Sequence, residues 1–107
     1  MNNCDKYILR CIQENKISVD TKNGEVYSHY KKSNYKIMTN YAGYEYLDFQ
    51  FFDRRWSVLV HRVIYLAEYK NIPDNFHIHH IDKNPKNNNI KNLIALSPED
   101  HRIIEKS

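Results

Sequence analysis

The chain has 107 residues and a mass of 12.9 kDa, which is enough for one compact domain and too little for two. Apolar residues make up 41% and charged residues 27%, a balance typical of a folded globular protein and not of a disordered one. No apolar run approaches the roughly 18 residues that span a bilayer, and no basic-then-apolar signal segment opens the chain. Membrane insertion and export are therefore excluded, and a cytoplasmic protein is expected.

The net charge of +3 is unevenly distributed along the chain. Residues 1–53 contain seven basic and seven acidic side chains, whereas residues 54–107 contain nine basic and six acidic ones and five of the six histidines. A mild basic excess is compatible with a phosphate-bearing partner. The clustered histidines are the sharper signal, because imidazole serves near neutral pH both as a general base and as a metal ligand.

The N-terminal half shows the pattern of one helix followed by strands. Residues 4–14 carry apolar side chains at helical spacing, which predicts a short amphipathic helix. Strands at 17–19 and 25–30 then flank Asn23-Gly24, and Asn-Gly between two such runs is a strong hairpin signal. Three more strands are predicted at residues 35–38, 44–52 and 56–60. We therefore expect an antiparallel meander of four or five strands in this half of the chain.

After residue 60 the apolar period changes to that of a helix, which is predicted over residues 61–70. The asparagine-rich segment that follows favours turns and side-chain-to-backbone hydrogen bonds, so an ordered loop is expected there. Ser97 has the position of an N-cap, since proline and two acidic residues come directly after it. The tail is thus predicted as strand 76–80, loop 82–92, strand 93–96 and helix 98–106.

The histidines of this tail have the arrangement of a reactive site. His79 and His80 are adjacent on a predicted strand, so their side chains point to opposite faces, and one ring can bind a metal while the other reaches a reacting water. His101, in the first turn of the last helix, can point back at the strand and supply a second ligand. Water and a substrate oxygen would complete the coordination, because catalytic metal sites keep open positions. Asn92 lies between them and can fix the ring of His80 by a hydrogen bond.

The pattern around these histidines resembles the HNH endonucleases of phages and mobile introns. The resemblance covers residues 58–104, nearly half of the chain, and is looser in the strand-rich half before them. The spacing agrees as well, because the middle asparagine follows the first predicted ligand by 13 residues and the last ligand follows it by 22. The matching motifs are Val60-His61-Arg62, His79-His80-Ile81-Asp82-Lys83-Asn84, Asn87-Asn88, Asn92-Leu93 and Glu99-Asp100-His101.

The resemblance implies a ββα-metal fold with His79 and His101 as ligands of one divalent ion, His80 as general base and Asn92 as the residue that orients it. The family usually has glycine after the motif aspartate, where this chain has Lys83. Two imidazole ligands suit Zn or Mn, whereas Mg prefers oxygen, so the metal is left open among Mg, Mn and Zn.

Several side chains keep two interpretations at this point. Arg62 could clamp the scissile phosphate with two hydrogen bonds or form a salt bridge. Asp82, His77 and Glu105 could each add to the metal site. The ordinary alternative is a loop-stabilising hydrogen-bond acceptor for Asp82 and a solvated side chain for His77 and Glu105. Asn92 has the alternative of a turn residue. The tyrosines interleaved with lysines before residue 47 could stack on bases, or could simply reflect a β-rich sequence.

The predicted fold is α+β, with an antiparallel β-rich part (residues 1–57) followed by a ββα-metal module (residues 58–107) in one compact domain. The predicted function is metal-dependent hydrolysis of DNA phosphodiester bonds to 5′-phosphate and 3′-hydroxyl ends in a bacterial or phage-infected cell. Cutting both strands of the double-stranded DNA would require either a homodimer or two separate encounters. The residues expected to contact the DNA backbone are Arg54, Arg55, Lys83, Lys86 and Lys91.

Two other classes of function remain open. A DNA-binding protein could keep the metal-containing fold without cutting, although every catalytic position of the motif is occupied. A structural-zinc interaction protein is disfavoured, because the site has no cysteine ligands and would keep an open coordination position.

Overall fold

The computed structural model describes residues 1–51, 54–100 and 102. Its described residues before Ser97 contain two α-helices, one short 3₁₀-helix (Ile90–Asn92) and eight strands. None of the helices described is long and apolar enough to cross a membrane. The presence of helices beside antiparallel sheets confirms the predicted α+β class. In chain order the elements are α1 (Asn3–Gln13), β1 (Ile17–Asp20), β2 (Glu25–Ser28), β3 (Ser33–Asn34), β4 (Met38–Thr39), β5 (Glu45–Phe51), β6 (Arg54–Leu59), α2 (Val60–Tyr69), β7 (His77–His80) and β8 (Leu93–Leu96).

Helix α1 lies within one residue of its predicted bounds at each end. The side chain of Asn2 caps it by accepting a hydrogen bond from the backbone N–H of Asp5, at 2.7 Å. Its apolar face buries Ile8 and Cys11, and the helix packs against α2. The predicted amphipathic helix is therefore confirmed.

The hairpin of β1 and β2 is also confirmed, with Gly24 in its turn at a φ of +71°. A left-handed backbone of this kind is accessible to glycine at little cost, which explains the Asn-Gly signal. Strand β2 ends at Ser28, two residues before its predicted end. There the Ser28 hydroxyl accepts a hydrogen bond from the backbone N–H of Lys31 and starts a turn.

The predicted single meander is wrong, because the strands form two separate three-stranded sheets, β1-β2-β3 and β4-β5-β6. The strand predicted at 35–38 is wrong as well, since only its last residue belongs to a strand. Tyr35 and Ile37 instead pack partly buried against the core while the chain passes from one sheet to the other. Their apolar pattern therefore reflects a crossing and not a strand.

The second sheet supplies much of the core through one face of β5. Leu47 and Phe49 are buried, and Leu47 pairs with buried Val58 across the antiparallel β5–β6 ladder. The burial of every second residue is that of a strand with one face on the core, and the predicted strand is confirmed. Glu45 begins the strand in the same alternating register as the two buried residues.

Helix α2 lies at the centre of the molecule and buries Val63, Ile64 and Leu66 completely. Ile8 of α1 and Val26 of β2 belong to the same apolar cluster, so both halves of the chain contribute to one core. The helix ends at a left-handed C-cap, Lys70, whose backbone N–H donates to the carbonyl of Leu66 at 2.9 Å.

Strands β7 and β8 form the predicted C-terminal hairpin, in which His80 pairs with Leu93. A contact between β7 and α2 holds this hairpin against the core. Beyond β8, the hydroxyl of Ser97 accepts from the backbone N–H of Asp100 at 3.2 Å, as expected of an N-cap. Residues 98–100 and 102 are helical, and the rest of the predicted last helix lies outside the described residues.

Candidate active site

A cavity of about 400 Å³ opens between β7, the loop that follows it and the turn from β4 to β5. Three of the residues singled out from the sequence, His79, His80 and Lys83, lie together on its wall. The remaining lining residues are Ala42, Tyr44, Ile78 and Pro85. The structure thus brings a predicted metal ligand, a predicted general base and a predicted phosphate contact to one opening.

The ring of His80 is held on several sides although it reaches the cavity. Only 5% of the residue is exposed. The ring centroid lies 4.7 Å from that of His61, in an edge-on arrangement, and 5.9 Å from that of Tyr44. Its Nε2 atom lies 2.8 Å from Oδ1 of Asn88, which is itself buried. Packing and a hydrogen bond therefore restrict the ring to one orientation.

Asn92 makes its described contacts with the loop and not with the ring of His80. Its Nδ2 donates to Asp82 Oδ1 and to the carbonyl of Asn87, each at 2.9 Å, and its Oδ1 accepts from the Asp82 backbone N–H at 3.0 Å. These contacts favour the alternative of a turn residue, and the amide found beside His80 is that of Asn88.

Asp82 has the contacts of the loop-stabilising acceptor considered from the sequence. Hydrogen bonds from the Asn87 side chain, from the Asn84 backbone and from the Asn92 side chain, in that order of importance, hold the pKa of its carboxyl below the ordinary value. The carboxylate oxygens thus satisfy loop donors, and the loop after β7 is fixed by polar side chains.

Arg62 pairs with Asp5 of α1. Its Nη2 atom donates to Asp5 Oδ2 at 2.6 Å and its Nε to Oδ1 at 3.4 Å, and the Asp5 side chain is 3% exposed. Both residues line a second cavity of about 720 Å³ on another part of the surface, which also includes His77. The salt-bridge interpretation of Arg62 is therefore favoured over the phosphate clamp.

Replacing Arg62 with alanine should lower the free energy of unfolding by about 3 kcal/mol, because the Asp5 carboxylate would stay buried without its partner. Urea denaturation measures this loss. The matched control is Arg10→Ala, which removes the exposed Arg10–Glu14 pair within α1 and should change stability far less, because solvent screens exposed ion pairs. Equal losses in the two variants would contradict a structural role for the buried pair.

His61 belongs to the sequence motif, in which no role was assigned to it, and its imidazole is buried. It is 5% exposed, and its Nδ1 atom has no hydrogen-bond partner among the described residues. Burial, followed by the nearby charges of His80 and Arg62, lowers its pKa from 6.5 to about 3. His61 is therefore neutral at physiological pH and acts as an apolar wall for the ring of His80.

Acidification should destabilise the protein through His61. Between pH 6.5 and about 3 the unfolded chain binds a proton that the folded chain excludes, so stability falls as the pH is lowered, by about 1.4 kcal/mol for each pH unit. Urea denaturation in this range should show a shallower pH dependence for His61→Leu than for the unchanged protein. An equally steep curve for His61→Leu would refute the assignment.

The donors near the cavity are compatible with a divalent ion. His79 lines the opening, and an imidazole ligand with free space beside it fits an ion that keeps positions for water and substrate. No group of three His, Cys, Asp or Glu side chains able to hold a metal occurs in residues 1–51, 54–100 and 102. The predicted ligand His101 and the candidate Glu105 lie outside the described residues, and His77 lines the other cavity.

The predicted DNA contacts form two groups. Lys83, Lys86 and Lys91 are exposed on the loop after β7, and the first of them lines the cavity. Arg55 is exposed on β6, whereas the side chain of Arg54 lies outside the described part of the structure. The loop therefore offers three exposed cations, of which Lys83 lies on the cavity wall beside His79 and His80.

Sequence reasoning missed two residues linked to His80, namely Asn88, which contacts its ring, and Glu45, which accepts a hydrogen bond from Asn88. Asn88 belongs to the asparagine pair of the motif, but nothing in its spacing distinguishes it from its neighbours. Glu45 had a detectable signal, since it alternates in register with the apolar residues Leu47 and Phe49. A carboxylate on the buried face of a strand requires a polar partner.

Known proteins resemble this chain in sequence and in fold. The family model described as HNH endonuclease matches residues 58–103. The H-N-H endonuclease F-TflII of Escherichia phage T5 is 34% identical over 86 residues, which is 75% of this chain and 42% of the phage protein. The chain therefore spans less than half the length of that relative.

A solved structure of the HNH homing endonuclease I-HmuI, from work on its DNA binding and cleavage, superposes with a TM-score of 0.73. The match covers 84% of this chain and 51% of that one at 21% identity, and so shows a shared fold. With the family match and the phage relative, it confirms the resemblance seen in the sequence. The segment of this chain from residue 58 to residue 103 belongs to the HNH endonuclease family.

Proposed function

We propose that this protein is an endonuclease that hydrolyses phosphodiester bonds of double-stranded DNA. The observation that carries the proposal is the cavity on which a fixed His80, His79 and the cation Lys83 meet. The ring of His80 would take a proton from water as the water oxygen attacks phosphorus in line with the departing 3′ oxygen. The products would be a 5′-phosphate and a 3′-hydroxyl, formed in a bacterial or phage-infected cell.

His79, together with His101, would hold one divalent ion at this site. When bound, the ion would neutralise charge on the phosphate and on the departing oxygen. Imidazole ligands favour Zn or Mn, and Mg is the alternative where oxygen ligands complete the site. The phage T5 relative is itself named an endonuclease, and the work on I-HmuI concerns DNA binding and cleavage, which supports the same class of activity here.

Incubation of the purified protein with supercoiled plasmid and Mn or Mg tests the proposal directly. Nicked or linear product that EDTA abolishes is the expected result, and the ratio of the two forms reports whether one strand or both are cut. Binding of the plasmid without any cleavage under all metal conditions would instead favour a non-cleaving DNA-binding protein.

Lys83 adds a cation at a strained position beside the site. Its φ is +63°, in the left-handed region, where a residue other than glycine costs roughly 1–2 kcal/mol. Glycine usually occupies this position in the family that the motif resembles, so the lysine is retained here against a conformational penalty. Strain at a site residue suggests a functional use, and contact with a DNA phosphate fits an exposed ammonium on the cavity wall.

The variant Lys83→Gly should therefore weaken DNA binding without lowering the stability of the fold. The fold should be as stable as before or more stable, because glycine relieves the strain. DNA affinity should fall, and the slope of log affinity against log salt should decrease by about 0.9, the value for one phosphate contact. Fluorescence anisotropy across a salt series measures both quantities.

A matched control exists in Lys70, which also adopts a left-handed backbone, at a φ of +64°. It lies at the far end of α2 from His61, roughly 13 Å along the helix axis. Lys70→Gly should give a similar relief of strain without a change in salt slope. If both glycine variants alter the slope equally, Lys83 is not a specific phosphate contact.

A further inference from the structure

Two hydrogen bonds join β5, in the N-terminal half, to the ring of His80. Asn88 Nδ2 donates to Glu45 Oε1 at 3.0 Å, and Asn88 Oδ1 lies 2.8 Å from His80 Nε2. Asn88 and His80 are 4% and 5% exposed, so water does not readily replace either partner. These three side chains form what we call the Glu45–Asn88–His80 relay.

The carboxylate at one end of the relay determines where the protons lie. An ionised carboxylate only accepts hydrogen bonds, so the amide nitrogen of Asn88 must face Glu45. The amide oxygen then faces His80, and because a carbonyl oxygen only accepts, the Nε2 atom of His80 must be the donor. The relay thus selects the neutral imidazole that carries its proton on Nε2 and its lone pair on Nδ1.

The first hairpin keeps the middle member of the relay in place. A Cβ atom at Gly24 would come 3.1 Å from Asn88 Cβ, so the β1–β2 turn lies directly on this residue. The backbone N–H of Ile90 donates to the carbonyl of Thr21 in the same turn at 2.8 Å. Both contacts restrict the backbone and the side chain of Asn88 while its amide remains paired at each end.

We propose that Glu45 and Asn88 are positioning residues that hold His80 in the Nε2–H tautomer, so that Nδ1 is the atom that accepts a proton from the attacking water. For the role of His80, this inference rests on the proposed function. The O–H bond of water breaks as its oxygen bonds to phosphorus, and the proton passes to Nδ1. The electron pair of the broken P–O bond leaves on the 3′ oxygen, which then takes a proton from solvent.

Through Glu45, the relay gives the N-terminal half of the chain a role in positioning the ring of His80. Glu45 lies outside residues 58–103, the segment that matches the family. The correct tautomer of the base would therefore depend on a residue that the nuclease segment does not itself contain.

Nitrogen-15 NMR of the full chain at about pH 8, above the ordinary range of histidine titration, tests the relay without metal or DNA. The ring of His80 should show a protonated Nε2 and an unprotonated Nδ1. Glu45→Gln should keep this tautomer, since its amide oxygen can still accept from Asn88, whereas Glu45→Leu should give a mixture of both tautomers. Glu25→Leu, which removes an exposed carboxylate from β2, is the matched control and should change nothing.

Cleavage kinetics supply the second measurement. Glu45→Leu should lower kcat by about 10- to 100-fold, as is typical when a supporting residue is lost, with KM for DNA unchanged, and Glu45→Gln should restore most of the rate. A proton on Nδ1 in the unchanged protein would overturn the inference, even if Glu45→Leu fails to fold. An unaltered tautomer in folded Glu45→Leu would overturn it too. A protein that cuts no DNA would refute the proposed function, while the NMR result on the tautomer would stand.

Discussion

His80→Ala should slow DNA cleavage by about 10²–10⁴-fold, the contribution expected of a general base. Binding of metal and of DNA should change little, because the groups proposed for those contacts are other residues. Single-turnover cleavage of a plasmid, beside calorimetric metal titration of the same preparation, separates the loss of chemistry from a loss of binding.

Since His80 is buried, His80→Asn provides a second variant that leaves a smaller gap in the packing. His29→Ala is the control, because His29 is an exposed histidine that contacts Ser18 and Tyr27 on the first hairpin. Full cleavage by His80→Ala with its metal bound would remove His80 from the mechanism.

His79→Ala should weaken binding of the divalent ion by more than about 100-fold, because residues that merely support a metal ligand already contribute 10- to 100-fold. Isothermal titration with Mn or Zn measures the affinity without reference to cleavage. We expect the same loss for His101→Ala, the other proposed ligand.

The control for this titration is His77→Ala, on the same strand but lining the other cavity. It should bind the ion as the unchanged protein does. If His77→Ala loses the ion and His79→Ala keeps it, the metal site must be moved to the other cavity.

The sequence predicted the elements that are specified by neighbouring residues. Helix α1 follows from the helical spacing of its apolar residues, and the hairpin follows from the Asn-Gly turn at Gly24. Both signals depend on residues that are only a few positions apart in the chain. The division of the strands into two sheets depends on partners far apart in the chain. The crossing at Tyr35 and Ile37 carries the same apolar pattern as a strand, so composition alone could not separate the two.

The same distinction holds at the candidate site. His79, His80 and Lys83 could be grouped from the sequence because one short strand and its loop carry them all. Asn88 reaches Glu45 across 43 positions, so this pair needs the folded chain. The pairing of Arg62 with Asp5 spans 57 positions, and it favours the salt bridge over the phosphate clamp, two interpretations that the sequence left open.

The way the first hairpin covers Asn88 bears on how such nucleases could be recombined or engineered. The family match begins at Val58, inside β6, and β6 is paired along its length with β5. A chimaera that received residues 58–103 alone would inherit the histidines without the turn at Gly24 or the carboxylate of Glu45. We expect the smallest transferable unit to begin before β1, so that it includes the residues that orient the general base His80.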